Sequence, residues 1–352
     1  MLYAQLVCQA YGGNNPKVCL DVKSFDISKL WNLIERHKLH AVFYEVRDDT
    51  ALRFSTDLIA ELENRSRRIL MQKLFLIKEI VSIQKAHELK GIFIIPYKGV
   101  AVGELFYKNI NYRDFNDIDF ALEKKNIPES AKIMQALGYV ELKGESNFEK
   151  PQDSRSYHID YSWVKYNDSG EIICNAEIHW QATNSALISP VEFSELEVKS
   201  QNVKIISTEV RLFSKVENAY LMILHHGIVD GWFELRHLID LVVTIKALSD
   251  NELSLLLSKL KKTKILTSFH YGVQFSRDLI GAKLEMIKVP PLLKYDKYLS
   301  AVNSGLLPGK WSENKKKLFY YLLLHDNNME RVKSIFKFLR YSLKELKYKL
   351  IH

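Results

Sequence analysis

The sequence predicts an α+β protein in which a strand-rich centre lies between two helical regions. Two observations indicate the helical regions: a long apolar pattern of helical period ends near residue 90, and a second one begins at Ser214. A third observation indicates the sheet, because the chain between them contains β-branched, aromatic or alternating runs of strand length. These runs are 92–95, 116–122, 156–166 and 171–180.

The N-terminal region contains two predicted helices. The first covers Asp26 to His40, and its His37 is interpreted as a cation near the negative end of the helix dipole. The second covers Leu58 to Leu89 and follows Ser55, which can cap it. Residues with helical spacing predict its buried stripe: Leu70, Leu74, Ile77, Ile80, Val81 and Ile83.

The central stretch from Ile92 to Leu122 contains the most informative acidic pair. A strand turns at Pro96–Gly99 into a short helix over Val100–Tyr107, and a second strand covers Asn116–Leu122. Asp117 and Asp119 are two residues apart in that strand, so their carboxylates leave the same face. Two acids on a core strand are costly unless a cation compensates them, and Mg²⁺ is a usual compensation in phosphate-handling sites.

A predicted hairpin adds a second polar pair. After a helix over 124–137, strands over 156–166 and 171–180 flank the turn at Asn167–Gly170. Glu177 and His179 lie on one face of the returning strand. By themselves these residues suit the solvated face of an edge hairpin, but together with the two aspartates they favour a functional site.

Several of these residues resemble a known family. Lys98-Gly99, Tyr107, Arg113 and Asp117-Ile118-Asp119 are similar to the core motif of the DNA polymerase beta-like nucleotidyltransferase superfamily, and in particular to a little-characterised bacterial branch of it. Three more segments resemble that branch: 35–44, 176–180 and 218–241. One departure is Val100, which stands where the wider superfamily has a serine after the glycine.

The resemblance implies a polymerase beta-like core that moves a nucleotidyl group from an NTP to an acceptor hydroxyl or phosphate. It implies Asp117, Asp119 and Glu177 as catalytic residues and as ligands of Mg²⁺ or Mn²⁺. It implies a second group that contacts the nucleotide: Lys98, Gly99, Arg113, His179 and Arg236. A structural alternative stays open for Arg236, which can pair with Asp240 four residues later on the same helix face.

The predicted domain limits follow the pattern changes. Residues 1–88 form an N-terminal helical region, 89–205 the nucleotidyltransferase core and 206–352 a C-terminal helical domain. The final helix, 330–351, is basic and amphipathic. Its apolar stripe is expected to dock on the domain: Val332, Ile335, Phe336, Leu339, Leu343, Leu346 and Leu350. Its cationic stripe is expected to be solvated: Lys333, Lys337, Arg340, Lys344 and Lys347.

Composition narrows the class of protein. The 352 residues carry a net charge of +8, which is compatible with a nucleotide or nucleic acid partner but does not require one. Three cysteines without metal-ligand spacing, and no signal peptide or membrane-spanning run, favour a cytoplasmic protein with reduced thiols.

Two alternative functions stay open: a catalytically degenerate binding or regulatory module, and a toxin that modifies tRNA. The acceptor, whether small molecule, protein or RNA, and the oligomeric state are not specified by the sequence.

Overall fold

The strand-rich centre and helical flanks predicted from the sequence are present, and the α+β prediction is confirmed. The computed structural model describes residues 27–45, 55–107, 109–142, 160–183, 191, 193, 200–303, 320, 322–336 and 339. The loop predicted at 143–154 and most of the final helix beyond 336 lie outside these ranges. Within them, every helix is too short or too polar to cross a lipid bilayer.

The N-terminal flank consists of three helices, α1 (Ile27–His37), α2 (His40–Glu45) and α3 (Thr56–Glu88). The Ser55 hydroxyl accepts a hydrogen bond from the Leu58 N–H at 3.3 Å, as the capping prediction required. Ile77, Ile80 and Ile83 are buried as predicted.

The predicted burial of Leu70 and Leu74 is wrong, because both are exposed on α3. Lys73 faces inward instead, and its ammonium donates to the carbonyl oxygens of Ile110 at 3.0 Å and Asn111 at 3.2 Å. The ammonium also lies 3.6 Å from Asp114. These three oxygens compensate the buried charge, so Lys73 can face inward near the middle of α3 while Leu70 and Leu74 are exposed.

The core sheet has five strands in the spatial order β1–β2–β5–β4–β3. Strands β2 and β5 are parallel, and the other neighbours are antiparallel. The strands are β1 (Ile94–Tyr97), β2 (Ile118–Leu122), β3 (Val140–Glu141), β4 (Asp160–Tyr166) and β5 (Ile172–His179). Helix α4 (Gly99–Leu105) follows β1, and α5 (Ile127–Ala136) follows β2.

The hairpin turn between β4 and β5 is formed as predicted. The Asn167 side-chain oxygen accepts from the backbone N–H groups of Ser169 at 3.1 Å and Glu171 at 2.8 Å. Gly170 has φ +79°, which a glycine adopts at no steric cost. This turn fixes the register that later places His179 beside Asp160.

A two-stranded hairpin, β6 (Ser200–Ile205) and β7 (Thr208–Phe213), leads into the C-terminal helices. The Gln84 amide ties it to the sheet by donating to the carbonyls of Ile94 and Arg211, each at 3.0 Å. The predicted domain limit at 205/206 falls at the tip of this hairpin and stays a prediction.

The C-terminal helices include a π-helical turn. The elements are α6 (Lys215–Ile223), the π-helix (Leu224–Val229), α7 (Leu235–Ala247), α8 (Asp250–Lys262), α9 (Leu266–Ile280), α10 (Tyr295–Asn303) and a helix over 328–336. The predicted docking of the final apolar stripe is wrong for Val332, Phe336 and Leu339, which are exposed. Ser334 is buried there instead, with its hydroxyl 2.8 Å from the His325 Nε2 atom.

His37 contacts the C-terminal helices in an unexpected way. Its Nδ1 atom accepts a hydrogen bond from the Leu235 N–H, at the first residue of α7, over 3.3 Å. Burial, with a smaller effect of Arg36, lowers the pKa of His37 to about 4. The interpretation of His37 as a cation is therefore wrong, because a neutral imidazole caps the start of another helix.

Candidate active site

Lys98 lies at the turn between β1 and α4 and has φ +55°, an uncommon conformation for a residue with a side chain. Its carbonyl accepts the first hydrogen bond of α4, from the Val102 N–H at 2.8 Å. Its ammonium donates to Asp119 Oδ1 at 2.8 Å and lies 5.0 Å from the centre of the Tyr97 ring. The turn therefore directs a cation onto the acidic strand.

The parallel register of β2 and β5 brings Asp119 opposite Glu177. His179, two residues further along β5, shares the face of Glu177. Its Nε2 atom lies 3.0 Å from Asp119 Oδ1 and 3.4 Å from Glu177 Oε2. Asp119, Glu177 and His179 each offer one ligand atom, and these atoms all lie within 4.8 Å of one another.

Asp117 borders this group from the residue just before β2. Although much of the residue is exposed, desolvation of its carboxylate raises its pKa, and the charges of Asp119 and Glu177 raise it further. Three carboxylates therefore act on one another at the ends of two neighbouring strands.

Neighbouring groups stabilise the ionised form of Asp119. Burial by itself would raise the pKa of Asp119, but the Lys98 ammonium and the His179 hydrogen bond outweigh it and keep that pKa well below its usual range. The same pairing raises the pKa of Lys98 against the effect of burial. The pKa of His179 is raised as well, since its hydrogen bonds to Asp119 and Glu177 outweigh burial and the Lys98 charge.

Arg113 is buried beneath the site instead of facing it. Its Nε atom donates to both oxygens of Asp240, at 3.1 and 3.0 Å, and its Nη1 atom donates to the Gly99 carbonyl at 3.2 Å. Tyr107 donates to Asp240 Oδ1 at 2.7 Å. A contact between Arg113 and a phosphate stays a prediction.

Gly99 is required by the packing of its own neighbourhood. A Cβ atom at this position would lie 3.0 Å from the Cβ atom and 3.1 Å from the Cγ atom of Phe115. The missing side chain of Gly99 therefore makes room for Phe115, the residue between the buried Asp114 and the acidic strand. An approach of this backbone to a triphosphate stays a prediction.

Arg236 does not use Asp240 as its partner. Its Nη2 atom donates to Glu234 Oε2 at 3.1 Å, while both Asp240 oxygens are engaged by Tyr107, Arg113 and His226. Among the described residues the buried Nε atom of Arg236 has no hydrogen-bond partner. The alternative of an Arg236–Asp240 pair is therefore wrong, and a nucleotide contact of Arg236 stays a prediction.

Sequence patterns did not indicate a functional role for Asp160 or for the polar residues of the π-helix after α6. Asp160 pairs with His179 across β4 and β5, with 3.4 Å between Asp160 Oδ2 and His179 Nδ1. Burial lowers the pKa of His225 most, the charge of Asp230 raises it, and the charge of Lys98 lowers it further. His225 is therefore close enough to both Asp230 and Lys98 to interact with them electrostatically. The adjacent histidines were visible in the sequence, but their distance from the acidic strand was not.

The comparisons with known proteins identify a family. A model of a family described as uncharacterised nucleotidyltransferases matches residues 23–281. A comparison with curated protein sequences found no significant match.

Solved structures show weak likeness. The antibiotic-resistance factor ANT(2'')-Ia in solution matches with a TM-score of 0.37 and 13% identity, over 54% of this chain and 92% of that chain. A crystal structure of ANT(2'')-Ia with adenylyl-2''-tobramycin matches with a TM-score of 0.36 and 14% identity, over 53% of this chain and 98% of that chain. An antigenic nucleotidyltransferase-like protein from Paracoccidioides brasiliensis matches with a TM-score of 0.32 and 16% identity, over 54% of this chain and 88% of that chain. The family match covers most of the chain, and the chain therefore belongs to this family of uncharacterised nucleotidyltransferases, as its motif indicated.

Proposed function

We propose that this nucleotidyltransferase moves an NMP group from an NTP to an acceptor hydroxyl or phosphate and releases pyrophosphate. One observation carries the proposal. The register of β2 and β5 sets Asp119 opposite Glu177, with the Lys98 ammonium and the His179 imidazole both on Asp119 Oδ1. A triphosphate requires this combination of a cation and metal-binding acids at one place.

The carboxylates fit a divalent cation. Asp117, Asp119 and Glu177 supply oxygen ligands, which Mg²⁺ prefers and which also suit Mn²⁺. Desolvation raises the pKa of Asp117 most and the charges of Asp119 and Glu177 raise it further, so a cation bound here would stabilise the ionised carboxylate. When bound, the ion would supply charge stabilisation for the attacking and leaving oxygens. His179, through its bonds to Asp119 and Glu177, would orient both acids.

Lys98 and Glu177 have separate roles in the proposed reaction. Lys98 would exchange Asp119 for a phosphate oxygen of the NTP and neutralise part of its charge. Glu177 remains partly exposed, so it can meet the acceptor and take its proton. The acceptor oxygen then forms a bond to the α-phosphorus, the bond to the bridging oxygen breaks, and pyrophosphate leaves.

Arg113 is assigned a positioning role. It joins the Gly99 carbonyl, at the start of α4, to Asp240 on α7. The turn that contains Lys98 is thereby held against the C-terminal helices. A contact between the Arg236 guanidinium and a substrate phosphate is proposed because the segment 218–241 resembles the family.

The experiment is labelling with α-³²P NTPs in the presence of cell extract and Mg²⁺, with identification of the labelled species. Asp119→Asn keeps the volume and removes the charge, so we expect label transfer to fall at least a hundredfold while the fold is retained. Lys132→Ala, at an exposed Lys–Glu pair, serves as the control and should transfer normally. Transfer by Asp119→Asn at the rate of the unmodified protein would rule out the metal assignment.

The labelling experiment also separates the alternatives. A degenerate binding module would bind NTP in a Mg²⁺-dependent manner and label nothing in the extract. A toxin-type enzyme would label tRNA, and its expression would slow growth unless Asp119 were replaced.

A further inference from the structure

Two adjacent histidines lie outside the proposed catalytic group but close to it. His225 and His226 are in the π-helix that follows α6, and Asp230 is its C-terminal cap residue. π-Helical turns are rare and often occur at functional sites. Here the turn continues α6, which packs against α4, the helix that begins after Lys98.

Three imidazoles converge on one oxygen of Asp230. The Nδ1 atom of His225 lies 2.9 Å and the Nδ1 atom of His226 lies 3.6 Å from Asp230 Oδ2. The Nε2 atom of His237, from α7, lies 3.5 Å from the same oxygen. The rings of His226 and His237 are stacked, with 4.0 Å between their centres and 15° between their planes.

The Nδ1 contacts of His225 and His226 are not hydrogen bonds. Among the described residues, both Nδ1 atoms are buried and have no hydrogen-bond partner. Their directions therefore do not point from donor to acceptor, although the separations are short. Buried nitrogen atoms that lack a hydrogen-bond partner but lie close to a carboxylate are suited to share a cation with it.

The hydrogen bond of His226 to Asp240 determines which nitrogen atom of a neutral His226 carries the proton. Its Nε2 atom lies 2.9 Å from Asp240 Oδ2, in hydrogen-bond geometry. Both Asp240 oxygens accept from the Arg113 guanidinium, which is the pairing of a carboxylate. A carboxylate accepts only, so the proton of a neutral His226 is on Nε2 and the lone pair is on Nδ1. That Nδ1 atom lies 3.6 Å from Asp230 Oδ2, and a cation bound by both would compensate two neighbouring acceptors.

The other imidazoles are suited to the same role. The Nδ1 atom of His225 is buried 2.9 Å from Asp230 Oδ2, and the His237 ring stacks on His226. A neutral imidazole pair with one carboxylate is a common ligand set for Zn²⁺ and related ions.

We propose that His225, His226 and Asp230 form a second metal site, of the class that binds Zn²⁺, separate from the Asp119 group. Their ligand atoms all lie within 4.8 Å of one another. Bond lengths of about 2.0–2.2 Å in a tetrahedron place ligand atoms about 3.4 Å apart, close to the separations from Asp230. Three protein ligands leave a fourth position for water or for a substrate oxygen.

The outer contacts of the proposed site also match known metal centres. Asp240 receives the Nε2–H of His226, which is the carboxylate–histidine–metal arrangement that fixes ring orientation. Asp240 is in turn held by Arg113 and Tyr107. The metal site would therefore be connected to the Lys98 turn through Arg113, although the proposal does not depend on nucleotidyl transfer.

The test is titration of chelator-treated, full-length protein with Co²⁺ in excess Mg²⁺, followed by absorption spectroscopy. Co²⁺ replaces Zn²⁺ and gives a visible spectrum that reports imidazole ligands. We expect one Co²⁺ per chain, with at least tenfold weaker binding in His225→Gln and in Asp230→Asn. Zn²⁺ should raise the melting temperature of the unmodified protein and have a smaller effect on both variants.

Two controls make the result specific. His270→Gln removes a histidine of α9 outside the cluster and should bind Co²⁺ normally. Asp119→Asn should also keep the Co²⁺ spectrum, even though it loses label transfer. Equal Co²⁺ binding by the unmodified protein, His225→Gln and Asp230→Asn would overturn the proposal. Loss of the spectrum in Asp119→Asn alone would also overturn it, by placing the ion in the first group. Absence of Co²⁺ binding in every protein would likewise overturn it.

Discussion

Lys98 is the residue whose position is most unusual for its type. A positive φ at a lysine costs free energy, and the ion pair with Asp119 shows what the conformation achieves, since it brings an ammonium onto a buried carboxylate. The pairing compensates Asp119 until a substrate or metal ion takes its place. The motif in the sequence identifies Lys98, but it does not identify Asp119 as the ion-pair partner of Lys98.

The Lys98→Ala variant is predicted to bind NTP about ten- to a hundredfold more weakly, because a hydrogen bond to a charged group contributes about 1.5–3 kcal/mol. Binding is measured by isothermal titration with a non-hydrolysable NTP and Mg²⁺. Lys132→Ala, which removes an exposed lysine of α5, is the control and should bind normally. Unchanged affinity in Lys98→Ala would remove the phosphate role of this turn.

His37 predicts how stability depends on pH. Its pKa is about 4 in the folded protein and about 6.5 in the unfolded chain, so the unfolded chain binds more protons between these values. The free energy of unfolding therefore falls as pH falls from 6.5 to 4, by up to about 3 kcal/mol from this residue. Above pH 6.5 the contribution is constant.

The His37→Asn variant should reduce that dependence. The asparagine oxygen can replace Nδ1 as acceptor for the Leu235 N–H, and it does not titrate. Urea unfolding at several pH values measures the effect, and we expect a shallower loss of stability between pH 6.5 and 4 than in the unmodified protein. The same slope in both proteins would mean that His37 is not protonated on unfolding.

At the scale of single elements, α3 and α4 depend on their packing partners. Near the middle of α3, Lys73 faces inward and its ammonium contacts three oxygens near residues 110–114, while Leu70 and Leu74 are exposed. Burial lowers the pKa of Lys73 to about 8, although the Asp114 charge opposes this shift. Periodicity predicts the helix correctly but gives no information about such compensation.

The glycines of α4 allow a matched test of packing. Gly99→Ala would place a methyl group 3.0 Å from the Phe115 Cβ atom, and overpacking of this kind costs about 1–3 kcal/mol. Gly103→Ala is the control, because its nearest neighbour would be 3.6 Å away and alanine favours a helix by about 1 kcal/mol. Thermal unfolding should show a lower melting temperature for Gly99→Ala and an equal or higher one for Gly103→Ala. Equal melting temperatures in the two variants would show that Phe115 can move aside.

At the scale of the whole molecule, one buried carboxylate joins the sheet region to the C-terminal helices. Asp240 on α7 accepts hydrogen bonds from Tyr107, from Arg113 and from His226 of the π-helix. These groups come from three parts of the chain and all are buried. The proposed catalytic turn and the proposed second metal site therefore share one structural support.

Asp240→Asn is predicted to destabilise the protein by about 3–5 kcal/mol, because it leaves the buried Arg113 charge without its partner. Chemical denaturation monitored by circular dichroism measures this. Glu63→Gln is the control, since it removes one partner of an exposed pair with Arg67 and should leave the denaturation midpoint nearly unchanged. A comparable midpoint shift in both variants would show that the Arg113–Asp240 pair is no more important than a surface pair.

The sequence by itself determined the order of helices and strands, the α+β class and the family motif. The strands were correctly predicted because alternation and turn residues act locally, as at Asn167–Gly170. The family motif indicated nucleotidyltransferase membership, which the family match confirms. The proximity of Asp119 and Glu177 depends on two strands pairing in parallel across 58 residues of sequence, and it was inferred from the resemblance and not from local pattern.

Tertiary structure alone decided how the charged groups pair. Arg113 is bound to Asp240, Arg236 is bound to Glu234, and His37 is a neutral helix cap. It also brought His225 and His226 to Asp230 and placed Lys73 inside the protein. The physical reason is the same in each case: a buried charge or lone pair is stabilised by partners distant in sequence, and periodicity carries no information about such partners.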